Sequence, residues 1–126
     1  MNKKNYISWA QVEDFVELVY RRYRSLKISG VYGLPRGGLV LAVMLSHRLK
    51  VPMLMAPTPG CIIIDDICDS GESLLHFDKN SSGDVVQSYH IVTMCYKKNN
   101  LDVVPEFWYY EKQNDWIVFP WETKED

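Results

Sequence analysis

Trp9, Val12, Val16, Val19, Tyr20 and Tyr23 recur at intervals of three and four residues, the period of a helix with one face turned to a core. Ser8, followed three residues later by Gln11, adds the signature of a capping box. The pattern predicts an amphipathic helix that begins just after Ser8. Arg21, Arg22 and Arg24 crowd its far end, where the helix dipole favours cations, and a solvated helix terminus accounts for them. Beyond Ser29-Gly30 come a short apolar run, Val31 to Leu34, the turn Pro35-Arg36-Gly37-Gly38, and a long apolar stretch from Leu39 to Leu49. These predict strand, glycine turn and helix. Val51 to Ala56 predicts a second strand, closed by Pro57-Thr58-Pro59-Gly60, whose prolines and glycine break any regular element. Cys61-Ile62-Ile63-Ile64 is continuously apolar, the mark of a strand covered on both faces in a parallel sheet, and it stops at Asp65-Asp66. Ser73 to Phe77 predicts the start of a short helix, Asn80 to Asp84 a turn, and Tyr89 to Tyr96 another strand. From Leu101 the chain is rich in aromatics and prolines and predicts short strands, with Glu122 to Asp126 a frayed tail.

Composition adds boundaries to this outline. The 126 residues suit one domain with one core, spanning residues 1–126. With 47% hydrophobic and 24% charged residues, neither disorder nor a fibrous repeat fits. The formal net charge of −2 gives no global field to hold a nucleic-acid backbone, so no nucleic-acid partner is expected. No stretch approaches the roughly 18 apolar residues of a membrane span, and the amphipathic opening is not a signal peptide. Cys61, Cys68 and Cys95 are odd in number and lack C-x-x-C spacing. They read as reduced, interior thiols of a cytoplasmic protein. The charge is uneven: residues 1–50 hold nine basic and three acidic side chains, the remainder five and thirteen. That polarity suits a phosphate ligand accompanied by a metal.

Two constellations carry candidate chemistry, each at the C-terminal end of a parallel strand, where open α/β sheets bind ligands. Gly33-Leu34-Pro35-Arg36-Gly37-Gly38 reads either as a plain tight turn or as an anion cradle. In the second case its glycines admit close backbone approach, the next helix adds its N-terminal dipole, and Arg36 adds a cation. Asp65-Asp66-Ile67-Cys68-Asp69-Ser70-Gly71-Glu72-Ser73 places three carboxylates within five residues. Such a cluster demands compensating cations or hydroxyl donors; a sugar with Mg²⁺ meets that demand, and the following hydroxyls and amides suit a terminal phosphate. The G-x-G-x-x-G and Walker patterns are both absent from the sequence, which removes two common nucleotide folds. His47, His76 and His90 lack metal or nucleophile spacing.

Cys61 to Leu74 resembles the phosphoribosyl pyrophosphate (PRPP) motif of the type I phosphoribosyltransferases: four apolar residues, two acids and a D-S-G-x-S-L ending. Pro35-Arg36-Gly37-Gly38 is similar to that family's pyrophosphate loop. The chain most resembles the xanthine-guanine branch, through its Trp9-initiated helix, a strand ending in Lys97, and the closing Trp116-Ile117-Val118-Phe119-Pro120-Trp121-Glu122. The resemblance spans Tyr6 to Glu122. It implies an α/β, three-layer Rossmann-like fold with a central, mostly parallel sheet and a much reduced hood. It implies transfer of the 5-phosphoribosyl group of PRPP to guanine, xanthine or hypoxanthine in purine salvage, releasing pyrophosphate, with Mg²⁺ as cofactor and a homodimer or homotetramer as the assembly. By the same resemblance Asp65 and Asp66 hold the ribose hydroxyls, Asp66 also reaching Mg²⁺ through water. Pro35, Arg36, Gly37 and Gly38 cradle pyrophosphate. Asp69, Ser70, Gly71, Glu72 and Ser73 wrap the 5′-phosphate, with Asp69 taking the purine proton as general base. Glu72 departs from the small residue usual there. Lys97 is implied to donate to the purine 6-oxo group, Trp116 to stack on the ring, and Ile117 to offer backbone groups. Lys98 rivals Lys97, and a core position rivals the stacking role of Trp116.

The family carries a long mobile loop ahead of the PRPP motif, whereas here only Met53 to Gly60 separate Pro52 from Cys61. Closing lids exclude water and complete a site. Two readings follow: a small purine phosphoribosyltransferase, or a regulatory module of the same fold that binds PRPP or nucleotide without turnover.

Overall fold

The computed structural model describes residues 3–69, 74, 77, 88–98 and 103–122. Its elements run β1 (Lys4–Tyr6), α1 (Trp9–Tyr23), β2 (Val31–Gly33), α2 (Gly37–Leu49), β3 (Ile62–Cys68), β4 (His90–Lys97), β5 (Phe107–Lys112) and β6 (Trp116–Val118). The first helix starts where its cap predicts. Gln11 N donates to Ser8 Oγ at 3.1 Å, and Ser8 N donates to Gln11 Oε1 at 2.8 Å, so two orphan amides of the first turn are satisfied reciprocally. Its apolar stripe is buried through Val12, Phe15, Val16, Val19 and Tyr23.

A four-stranded sheet in the order β2-β3-β4-β5, parallel throughout, forms the centre. All four C-terminal strand ends therefore lie along one edge. On one face, α1 and α2 pack against Ile62, Ile64, Val92, Met94 and Cys95. On the other, Cys61, Ile63, Cys68, Ile91 and Tyr96 gather with Leu34, Leu74 and Val103. Burial on both faces is why β3 shows no alternation in its first four residues. All three cysteines are buried free thiols.

A second, two-stranded sheet pairs β1 with β6 in parallel. It is anchored beside β5 through Asp115, which accepts from Asn5 Nδ2 at 3.1 Å and from the Tyr110 hydroxyl at 2.9 Å. This small sheet is the reduced hood. β1 had no counterpart in the sequence reading, because three mostly polar residues gain strand structure only from a partner more than a hundred positions away.

The strand expected over Val51 to Ala56 shrinks to a single bridge between Val31 and Met53. Val31 N donates to Pro52 O at 2.9 Å and Leu54 N to Val31 O at 2.8 Å. Pro52 has no amide to extend the ladder, and the chain turns away before Cys61, with Gly60 at a φ of 82°. The second helix begins at Gly37, two residues ahead of the expected Leu39, and β4 is shifted by one residue to end on Lys97. The short helix expected from Ser73 and the turn from Asn80 to Asp84 lie outside the described residues, apart from Leu74 and Phe77. Among the described residues, no helix is long and apolar enough to cross a membrane.

Candidate active site

The turn after β2 and the end of β3 are built into each other. Leu34 N donates to Ile64 O at 3.0 Å, fastening the turn to the strand. The peptide between Pro35 and Arg36 is cis, and Arg36 occupies the N-cap position of α2. The glycines set how close the parts lie. A Cβ on Gly33 would fall 2.6 Å from Gly38 O, one on Gly38 would meet Ile64 O, and one on Gly37 would meet the Asp66 carboxylate. At Gly33 and Gly38, where the obstruction is backbone, only hydrogen fits, and at Gly37 any side chain would displace the Asp66 carboxylate, which is the physical reason for the glycine pattern.

Asp66 thus lies at the N-terminus of α2, where peptide N–H groups and the helix dipole favour anions. A cleft of about 910 Å³ opens there, lined by Arg36, Gly37, Asp66, Trp116, Trp121 and Glu122 among others. Its far wall is the hood, where Lys4 and Tyr6 of β1 and Trp116 and Val118 of β6 face inward. The cleft joins two segments that the sequence sets 80 residues apart, Arg36 and Trp116.

Asp65 and Asp66 divide in role. Asp65 is 8% exposed, and its Oδ1 accepts from Asp66 N at 2.9 Å. Burial, followed by the charge of Asp66, pushes its carboxyl up to about 8. Asp66 faces the cleft; burial raises its pKa too, with the Glu122 carboxylate adding to the effect. Two neighbouring carboxylates drawn out of water favour protonation over charge, so the pair is arranged for cations or hydroxyl donors that come with a ligand.

Asp69 sits one residue past β3 and pairs with Lys112 Nζ at 3.0 Å. Lys97 ends β4, half-buried, in register with Lys112 at the end of β5. Lys98 pairs with Glu111 at 3.5 Å, and neither Lys97 nor Lys98 is among the residues that line the cleft. Trp116 is 62% exposed and faces the cleft, so the core alternative is discarded. Ile117 is buried in the helix-side core. Trp116 N donates to Lys3 O and Val118 O accepts from Ile7 N, so the peptide groups of Ile117, between them, point away from β1.

The structure brings Arg36, Gly37, Asp66 and Trp116 into one cleft, and sets Asp69 and Lys97 farther along the same sheet edge. Pro35 is exposed and Gly38 buried beneath the turn. Ser70, Gly71, Glu72 and Ser73 lie outside the described residues. The sequence reading missed Lys4, Tyr6 and Lys112. The hood pair had no local signal, but Lys112 closes an aromatic strand at the same sheet edge as Lys97 and could have been found once β5 was aligned with β4.

No family model matches the chain. The xanthine-guanine phosphoribosyltransferase of Vibrio atlanticus is 21% identical over 146 residues, covering 98% of this chain and 92% of the relative. That of Desulfotalea psychrophila is 24% identical, covering 97% and 89%. A purine phosphoribosyltransferase structure from Pyrococcus horikoshii superposes with a TM-score of 0.81 at 27% identity, covering 98% of this chain and 97% of that one. The Helicobacter pylori xanthine-guanine-hypoxanthine phosphoribosyltransferase superposes with a TM-score of 0.70 at 17% identity, covering 94% and 93%. The parallel sheet, its glycine turn and its acidic strand end therefore form the type I phosphoribosyltransferase fold, and the chain is similar along nearly its whole length to the xanthine-guanine branch of that family.

Proposed function

We propose that the protein transfers the 5-phosphoribosyl group of PRPP to a 6-oxopurine, releasing pyrophosphate. The observation that carries this reading is the cleft that sets Arg36, the Gly37 end of α2 and Asp66 opposite the exposed face of Trp116. It offers an anion cradle, a carboxylate for sugar or metal, and a stacking surface in one space. The Pyrococcus horikoshii structure, whose name is purine phosphoribosyltransferase, superposes over 98% of this chain and 97% of its own, which supports the reading.

In this reading the bond from the anomeric carbon to pyrophosphate breaks while a bond to the purine nitrogen forms, and the proton on that nitrogen passes to Asp69. Arg36 and the amides at the start of α2 bind the leaving pyrophosphate and offset its charge. Asp65 and Asp66 orient the ribose and lie on the side where positive charge develops. Lys97 donates to the 6-oxo oxygen, Trp116 stacks on the ring, and Ile117 presents its peptide groups to the opposite ring edge. Ser70 to Ser73 hold the 5′-phosphate. Asp66, a half-buried carboxylate facing the cleft, suits a hard cation that takes one or two carboxylates and completes its shell with phosphate oxygens and water. A Mg²⁺ held by Asp66 would supply positive charge to offset that of the pyrophosphate. The expected homo-oligomeric assembly belongs to this reading as well.

A second reading, binding without turnover, is favoured by one observation: Met53 to Gly60 are tied to the edge of β2 or folded into a turn, and none of them lines the cleft. Pyrophosphate release from Mg²⁺–PRPP, measured with guanine, xanthine, hypoxanthine or adenine and with no base, decides between them. Nucleotide formed only with a 6-oxopurine upholds the transferase; PRPP binding without nucleotide from any base replaces it with the regulatory module.

A further inference from the structure

We infer that Lys112 is a positioning residue for Asp69, holding the carboxylate that receives the purine proton; the inference rests on the transferase reading above. Three parallel strands end together at this edge. Cys68 is in register with Tyr96, and Lys97 with Lys112, so Asp69, Lys97 and Lys112 form a row across β3, β4 and β5. Within that row Lys112 reaches across β4 to Asp69, placing Nζ 3.0 Å from Oδ2.

The burial of the two partners is unequal. The Lys112 side chain is 11% exposed and that of Asp69 49%. A lysine surrenders both hydration and a long side chain's rotamer freedom when it is withdrawn from water. A withdrawn ammonium on a fixed strand end makes a rigid tether, whereas Asp69, at the start of a connecting segment, has only its own short side chain to fix its direction. Capturing Oδ2 leaves Oδ1 with its lone pairs open to accept a proton. The arrangement also divides labour between the two lysines. Lys97 has no carboxylate partner among the described residues, so its ammonium remains available to a ligand oxygen. Lys112 carries no such freedom.

A merely structural Lys112 would act as a strut between β3 and β5, and the experiment separates the two roles. Lys112→Met, Lys112→Gln and Lys112→Arg are compared with the parent chain for kcat, KM for PRPP and thermal midpoint, alone and in an Asp69→Asn background. Positioning predicts that Met and Gln lower kcat about ten- to a hundredfold, the scale of a misplaced catalytic group, while KM for PRPP stays within about twofold. Arg restores most of the rate. In the Asp69→Asn background the Lys112 variants cost nothing more, because the group they position is gone. Unchanged kcat in Met or Gln, or a loss that multiplies with that of Asp69→Asn, overturns the inference while leaving the transferase standing. If Met fails to fold, Gln and Arg carry the same comparison. A parent chain that forms no nucleotide overturns the transferase reading, and this inference with it.

Discussion

Gly37 lies against the Asp66 carboxylate so closely that a methyl group on its Cα would take the carboxylate's place. The turn after β2 and the acidic end of β3 are therefore one unit, and the glycines of the turn are not interchangeable. At Gly37 the obstructing atoms are the end of a side chain, which can rotate away. At Gly38 the obstruction is the Ile64 carbonyl, which belongs to the central ladder and cannot.

The two alanine substitutions should consequently separate function from stability. Gly37→Ala is expected to keep its thermal midpoint near that of the parent but to lose Mg²⁺–PRPP affinity by about tenfold or more, since a displaced carboxylate forfeits an interaction of roughly 1.4 kcal/mol. Gly38→Ala is expected to lose about 1–3 kcal/mol of stability, the range for overpacking a close-fitted site. Calorimetric titration and denaturant melts of both variants check this. Equal destabilisation by the two would contradict the distinction.

Asp65 gives the ligand-free protein a pH dependence of defined sign. Its carboxyl ordinarily titrates near 3.8 and is pushed up to about 8 in the fold, chiefly by burial. Between these values the folded protein binds a proton that the unfolded chain does not, so stability falls as pH rises from about 4 to about 8. The variant Asp65→Asn removes that titration. In chelator-containing buffer it should melt above the parent at pH 8, and the gap should close toward pH 5. A parent whose midpoint rises across the window would count against a carboxyl held protonated by burial.

Much of this architecture was written in local patterns. Ser8 and Gln11 announce the first helix because a cap is a contact between near neighbours. The run Cys61 to Ile64 announces the central strand because burial on both faces erases polar alternation. Asp65-Asp66 marks the site because it stops that run at the edge where ligands bind. What stayed hidden depends on distance along the chain. The hood needs Lys4 beside Trp116, a pairing that neither segment signals alone. The Asp69–Lys112 contact needs the register of β5 against β4. The failed strand from Val51 to Ala56 shows the reverse: apolar residues of the right length did not form one, because Pro52 and the brief edge of β2 gave them a single point of attachment.

The cap itself is testable. Ser8→Ala removes the acceptor of the Gln11 amide and should cost about 1 kcal/mol. A circular-dichroism melt would show a modest fall in midpoint. Neither Ser8 nor Gln11 lines the cleft, so PRPP affinity should hold within about twofold, a difference under roughly 0.5 kcal/mol. A loss of binding larger than the loss of stability would instead tie the start of α1 to the site.

Trp116 supplies the sharpest separation of a ligand contact from a packing contact. A buried tryptophan truncated to alanine costs about 3–5 kcal/mol, whereas this ring is 62% exposed and faces the cleft. The hood strand that carries it is held by the amide of Trp116 on Lys3 O and by Val118 O, none of which requires the indole. Trp116→Ala should therefore change stability by no more than about 0.5 kcal/mol. The affinity for the purine should fall by about tenfold, because stacking of a base on an aromatic ring contributes roughly 1–3 kcal/mol. Trp116→Phe should recover part of it, and KM for PRPP should move little in either variant. Steady-state kinetics with the base varied at saturating PRPP, alongside a thermal melt, reads all of these. A large drop in melting midpoint with unchanged base affinity would make the indole a structural element of the hood and remove it from the site.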